Sequence, residues 1–172
     1  FNGDWYHTGN WPHEDVNFQG KRVGQIGTGS TGIQTAPIIA ETARHLTVFQ
    51  RSANFSVPAR NRPLTSDFQK YLRENHPKIK KMIQSNTNGH PFLFSDLKIF
   101  DVSEEEREEI FEKAWSRGGL SFRGCFQDVA FDKKANDLAV DFLKRKIRSL
   151  VKDSEKGEIL TDIDHVFGAK RP

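Results

Sequence analysis

Gly27-Thr28-Gly29-Ser30-Thr31-Gly32 spell G-x-G-x-x-G directly after the apolar run Val23-Gly24-Gln25-Ile26. A turn of this kind can hold a dinucleotide. Its first glycine permits a tight turn, its second lets the backbone approach a pyrophosphate, and its third allows close helix–strand packing. The N–H groups at the start of the following helix then face the phosphates. A glycine turn by itself can be purely structural, so the strand before it and the helix after it give the pattern its meaning. Gln34, early in that helix, joins Gly27–Gly32 in the cofactor-binding set. Gln50-Arg51-Ser52 follow at the end of the next apolar run. An NAD site carries Asp or Glu at about this distance, roughly twenty residues on, to accept from the ribose hydroxyls. Arg51 would instead grip a 2′-phosphate through charge-assisted bonds, which favours NADPH. The plainer alternative is a surface arginine at a strand end.

His7 lies between aromatic neighbours, Trp5-Tyr6 before it and Trp11-Pro12 after it. Taken alone it is an ordinary packed or hydrogen-bonded histidine. Lys170-Arg171 is likewise an ordinary basic pair unless a wider pattern includes it.

The elements that position these residues follow from periodicity. A short buried strand is predicted over Val23–Ile26, a helix through Ile33–Ala43 with Ile33, Ala36, Ala40 and Ala43 on one face, and a second strand over Leu46–Gln50. Pro37 lies within that helix and removes a backbone donor, which would kink the helix unless the proline falls in its first turn. Strand, glycine turn, helix and strand make a βαβ unit whose strands pair in parallel. Residues 52–63 lack periodicity and read as loop, and residues 65–84 as a helix interrupted at Pro77. Residues 85–101 read as irregular. Ser103 and Glu106 form a capping box ahead of the buried stripe Ile110, Phe111, Ala114 and Trp115, which Gly118-Gly119 ends. A longer helix is predicted from Lys133 to Lys152, with Ala135, Leu138, Ala139, Phe142, Ile147, Leu150 and Val151 on its apolar side. The last twenty residues read as loop. Glu109 with Lys113, and Asp141 with Arg145, are expected i,i+4 pairs on solvated helix faces.

A net charge of +3 in 172 residues, with no basic block interleaved with aromatics, gives no case for nucleic acid. The single Cys125 excludes an internal disulfide and a Cys-rich zinc site. No metal site is expected from the histidine spacing. The apolar runs are far shorter than a membrane span. These features predict a soluble, cytoplasmic protein with no membrane role.

Phe1, Gly3, His7, Trp11 and Pro12 stand in the order F-x-G-x-x-x-H-x-x-x-W-P. Together with the glycine motif, Gln50-Arg51-Ser52, the stretch Ala53–Asn61 and Phe167-Gly168-Ala169-Lys170-Arg171, this order resembles the NADPH-binding region of Baeyer–Villiger monooxygenases. The resemblance covers essentially the whole chain and is least specific in its middle. It implies an α/β fold: a partial Rossmann-type NADP-binding domain with a mostly helical insertion. The expected division is 1–63 for the βαβ part with the fingerprint, 64–153 for the insertion, and 154–172 for the return segment.

The family's chemistry converts ketones to esters or lactones with O2, using NADPH and FAD. By position, the resemblance implies that Gly27, Thr28, Gly29, Ser30, Thr31 and Gly32 hold the pyrophosphate. Arg51 and Ser52 hold the 2′-phosphate, with Lys170 as a second cation. Arg171 matches an active-site arginine that stabilises negative charge near the flavin. His7 matches a histidine that couples domain movement to turnover. The family's flavin-binding glycine motif is absent from these residues, so the chain is expected to be an internal piece that is inactive by itself, its partners being the missing parts of the same enzyme. Two alternatives stay open: a piece of a nitrogen- or sulfur-oxygenating flavin monooxygenase, and a nucleotide-binding module without activity.

Overall fold

β1 (Arg22–Ile26) and β2 (His45–Phe49) pair in parallel, with Arg22 opposite His45 and Ile26 opposite Phe49. α1 (Ser30–Thr42) runs between them and completes the βαβ unit. The computed structural model describes residues 1–86 and 89–169. The described residues form two compact units: Phe1–Asn54 with Asp153–Asp164, and Phe55–Lys152 with His165–Ala169.

In the first unit, exposure alternates along β1. Val23 and Gln25 are half-buried, whereas Arg22, Gly24 and Ile26 are open. The expected buried strand is therefore buried on neither face, and Ile26 is 90% exposed. One helix lying on a two-stranded sheet leaves the opposite face uncovered. No residue of α1 is buried either, so its predicted stripe is at most half-covered. The helix continues through Pro37.

α5 (Ser154–Thr161) also belongs to this unit, where loop was expected. Its eight residues are too few to show a helical period, and Gly157 weakens the signal further. Asp153 caps it, accepting from the Lys156 N–H at 3.2 Å and pairing with the Lys156 ammonium at 3.0 Å. The side-chain bond from Lys156, then the backbone bond, hold the Asp153 carboxyl below its ordinary pKa.

The second unit is helical. α2 (Ser66–Ser85) starts from the Thr65 cap and runs unbroken through Pro77. The proline removes one N–H, but α2 buries no residue, so water can satisfy the freed carbonyl and the expected interruption does not occur. α3 (Glu104–Arg117) carries the complete Ser103–Glu106 capping box, with bonds of 3.2 and 3.0 Å, and ends at Gly118 with φ 76°. A short 3-10 turn, Gly119–Phe122, precedes α4 (Lys133–Leu150).

α3 and α4 meet on an aromatic core. The Phe111 ring lies 5.6 Å from Phe122, 5.5 Å from Phe126 and 5.0 Å from Phe142. On α4 the buried set is Ala135, Asn136, Ala139, Phe142 and Leu143, so Leu143 replaces the expected Leu150, which is 65% exposed. Glu109 pairs with Lys113 at 3.1 Å as the spacing predicts. Arg145 differs from the expected i,i+4 pairing with Asp141. It reaches across to both oxygens of Glu108 on α3, at 2.7 and 2.8 Å.

Buried Asn136 acts as a clamp. Its Nδ2 donates to the Val129 and Phe167 carbonyls at 2.8 and 3.0 Å, and its Oδ1 accepts from the Phe167 N–H at 2.9 Å. Phe167 is thereby fixed, with its ring 5.6 Å from Phe122 and 5.9 Å from Phe55.

Phe142→Ala should cost the helical unit about 3–5 kcal/mol through lost burial and a residual cavity, read as a lower midpoint in denaturant titration. Burial pushes the Cys125 thiol up to about 12. Alkylation at neutral pH should therefore follow unfolding and stay slow in the native chain. Because the folded value is raised, this thiol's stabilisation is full below pH 9.0 and is lost as pH climbs towards 12, an effect that Cys125→Ala should remove from an alkaline melting series.

Candidate dinucleotide-binding site

Parallel pairing places the carboxyl ends of β1 and β2 side by side, the edge at which open α/β sheets bind ligands. Gly27 leaves β1 there, and its N–H donates to the Phe49 carbonyl at 2.9 Å. The glycine loop and the segment Gln50-Arg51-Ser52 therefore start from one point. Gly27 takes φ +99°, a conformation that side-chain-bearing residues avoid. Gly29 is the N-cap of α1, and no side chain caps the helix at that end. The first turn carries no acidic residue, so its positive dipole end meets no carboxylate of its own.

The three glycines differ in what surrounds them. A Cβ placed on Gly29 would meet nothing within 4 Å, so the backbone there faces open space. A Cβ on Gly32 would collide with the Gly27 carbonyl oxygen and come within 3.2 Å of the Gln25 amide nitrogen. The pattern matches the roles expected of a phosphate cradle: a free approach at the second glycine and tight packing at the third. A dinucleotide pyrophosphate fits this edge, with Thr28 half-buried and Ser30 and Thr31 exposed on the first turn.

Two residues absent from the sequence-derived set brace the loop. Gln25 Nε2 donates to the Gly27 carbonyl at 3.1 Å and the Gly32 carbonyl at 3.0 Å. Thr35 Oγ1 lies 3.2 Å from both Gln25 Oε1 and the Gly32 carbonyl. A polar residue on the helix-facing side of a strand just before G-x-G-x-x-G is the signal that could have drawn attention to Gln25.

Arg51 and Ser52 are exposed just beyond β2. Gln34 instead turns back on its own helix, its Nε2 donating to the Ser30 carbonyl at 2.8 Å. His7 is exposed and lies in a local turn. Its Nδ1 accepts from the Gly9 N–H at 3.1 Å, and its carbonyl accepts from the Asn10 N–H at 2.8 Å. Tyr6, Trp11 and Phe18 form a ring cluster beside it, with centroids 5.7 to 6.4 Å apart. The ion pair of Lys21 with Asp4, at 3.4 Å, ties this fingerprint segment to the start of β1. Lys170 and Arg171 lie outside the described residues. Among the described residues, no group of three or more His, Cys, Asp or Glu could hold a metal ion, and no helix is long and apolar enough to cross a membrane.

Comparison with known proteins places this geometry in a class. No family model matches the sequence. A Baeyer–Villiger monooxygenase of Pseudooceanicola batsensis is 44% identical over 174 residues, covering 100% of this chain and 31% of the relative. A phenazine N-monooxygenase of Lysobacter antibioticus is also 44% identical over 174 residues, with 100% and 32% covered. Among solved structures, an oxidised steroid monooxygenase bound to NADP superposes with a TM-score of 0.95 at 46% identity, covering 99% of this chain and 33% of that one. The structure of OTEMO in complex with FAD and NADP gives 0.94 at 40% identity and the same coverage. The fold is shared with the NADP-bound monooxygenase structures. The chain is similar over its whole length to Baeyer–Villiger monooxygenases, and it spans about a third of the length of the curated relatives it matches.

The glycine contacts separate binding from folding. Gly29→Ala should leave the melting temperature near that of the parent while weakening dinucleotide binding, because the methyl fills the approach path. Gly32→Ala should lower both, because the collision is with backbone. Melting and calorimetry on the two variants check this; equal behaviour would contradict it.

Proposed function

We propose that this chain forms the NADPH-binding part of an FAD-dependent monooxygenase that converts ketones to esters or lactones with O2. The observation that carries the reading is the open, uncapped glycine loop at the shared carboxyl edge of β1 and β2, from which Arg51 also departs. Similarity to a Baeyer–Villiger monooxygenase, and to structures solved with NADP and with FAD and NADP, supports it.

FAD, reduced by NADPH, supplies the oxygen chemistry when bound. The chain's own residues then bind and orient. The loop N–H groups around Thr28–Gly32 receive the pyrophosphate, and the α1 dipole favours its charge. Arg51 and Ser52 take the 2′-phosphate, with Lys170 as a second cation. Gln34 lies on the first turns of the same helix. Arg171 supplies a fixed positive charge for negative charge that develops at the reacting centre. His7, held in its turn by Gly9, links the fingerprint segment to the movement that accompanies turnover. Residues 64–153 form the helical insertion in this domain, between the βαβ part at 1–63 and the return segment at 154–172. Ketone and O2 are the small-molecule partners, the rest of the same enzyme the macromolecular one, and the cytoplasm the location that the lone free thiol favours.

The phenazine N-monooxygenase relative favours a second reading, oxygenation of a ring nitrogen. Product analysis of the intact flavoenzyme with a cyclic ketone and with an N-heteroaromatic decides between them: lactone formation supports the first, N-oxide alone the second.

Cofactor choice has its own test. Arg51→Ala should weaken NADPH roughly tenfold or more, as expected for lost charge-assisted bonds, and leave NADH little changed. Equal losses for both cofactors in calorimetric titrations would remove the 2′-phosphate role.

A further inference from the structure

We propose that Gln25, fixed by Thr35, is a positioning residue that sets the glycine loop in its anion-binding orientation. The inference rests on the reading of this loop as the dinucleotide site and concerns how the chain builds it. A trans peptide points its C=O and N–H in opposite directions. Gln25 Nε2 draws the Gly27 carbonyl inward at 3.1 Å, so the Thr28 N–H is turned away from the strand. The second amide hydrogen holds the Gly32 carbonyl at 3.0 Å, across the first turn of α1. The Gly27 carbonyl, which would repel a phosphate, is thereby kept on the protein side of the loop, and the bond to the helical Gly32 carbonyl anchors the amide.

The amide itself is oriented. Its Oε1 faces the Thr35 hydroxyl at 3.2 Å, which places the NH2 group towards the two carbonyls. Thr35 also lies 3.2 Å from the Gly32 carbonyl, so its single proton is shared between two acceptors. The missing side chain of Gly32 makes room for this arrangement, since a Cβ there would stand 3.2 Å from Nε2. An aliphatic residue at position 25 would fill the space beneath α1 but could not turn the Gly27 carbonyl. The third glycine of the motif thus serves a bracing amide as well as helix packing.

The experiment compares Gln25→Val, Thr35→Val, Thr35→Ser and Arg51→Ala in the intact, FAD-loaded enzyme. Equilibrium binding is measured for NADPH, NADH and 2′-AMP, which carries the 2′-phosphate but no pyrophosphate, and melting is measured without nucleotide. Gln25→Val should weaken NADPH and NADH by the same factor, roughly fivefold to thirtyfold, as expected when charge-receiving hydrogen bonds are misaimed. It should leave 2′-AMP binding and the melting temperature near wild type. Thr35→Ser should restore what Thr35→Val loses.

Unchanged dinucleotide binding in Gln25→Val overturns the proposal. So does a loss of 2′-AMP that runs parallel with melting, which would make Gln25 a packing residue only. Failure of the underlying reading looks different: wild-type enzyme would then bind neither dinucleotide, and both would fall together. Arg51→Ala changing the NADPH-to-NADH ratio while Gln25→Val leaves it fixed separates 2′-phosphate recognition from loop orientation.

Discussion

Parallel strands cannot be joined by a tight turn; the chain must travel back along the sheet before it can pair again, and α1 makes that journey. The consequence is geometric. Ile26 and Phe49 end at one edge, the loop into α1 and the segment after β2 leave from there, and the Gly27–Phe49 backbone bond joins them. Every proposed cofactor contact in the first unit, from Gly27 to Ser52, depends on this pairing. Only a chain that bends sharply at φ +99° can leave β1 and enter the helix at once, which places glycine at position 27.

Side-chain amides and carboxylates hold irregular backbone in both units. Gln25 holds the glycine loop, Asn136 holds Phe167, and both oxygens of Asp128 accept from the Ile99 N–H at 3.1 and 3.3 Å. Loops lack a ladder of their own, and buried backbone groups need partners. The helical unit relies on aromatic packing as well. Lys146 lies 5.7 Å from the Trp115 ring and 5.6 Å from the Phe142 ring while pairing with Glu112 at 2.7 Å, so one cation joins the aromatic core to an acidic face of α3.

Much of this architecture was legible in the residues. The glycine spacing between two apolar runs indicated the βαβ unit, and Ser103 with Glu106 marked the start of α3, because caps and turns act through near neighbours. Local patterns failed where burial or water decided. Pro77 does not break α2 because nothing covers its freed carbonyl, and α5 escaped notice because eight residues with a central glycine carry no period. The burial expected of β1 was overdrawn, since apolar character says nothing about how many layers surround a strand.

The sequence by itself determined the elements with short-range causes: two strands, their crossover helix and the capped start of α3. Tertiary structure decided the partners. Arg145 meets Glu108 on another helix instead of Asp141 on its own, Asn136 clasps a backbone 31 residues away, and Gln25 turns from a strand residue into the brace beneath the loop. These choices depend on which faces come into contact after folding. A side chain bonds the group that packing presents, and spacing along the chain cannot specify that group when it comes from another element.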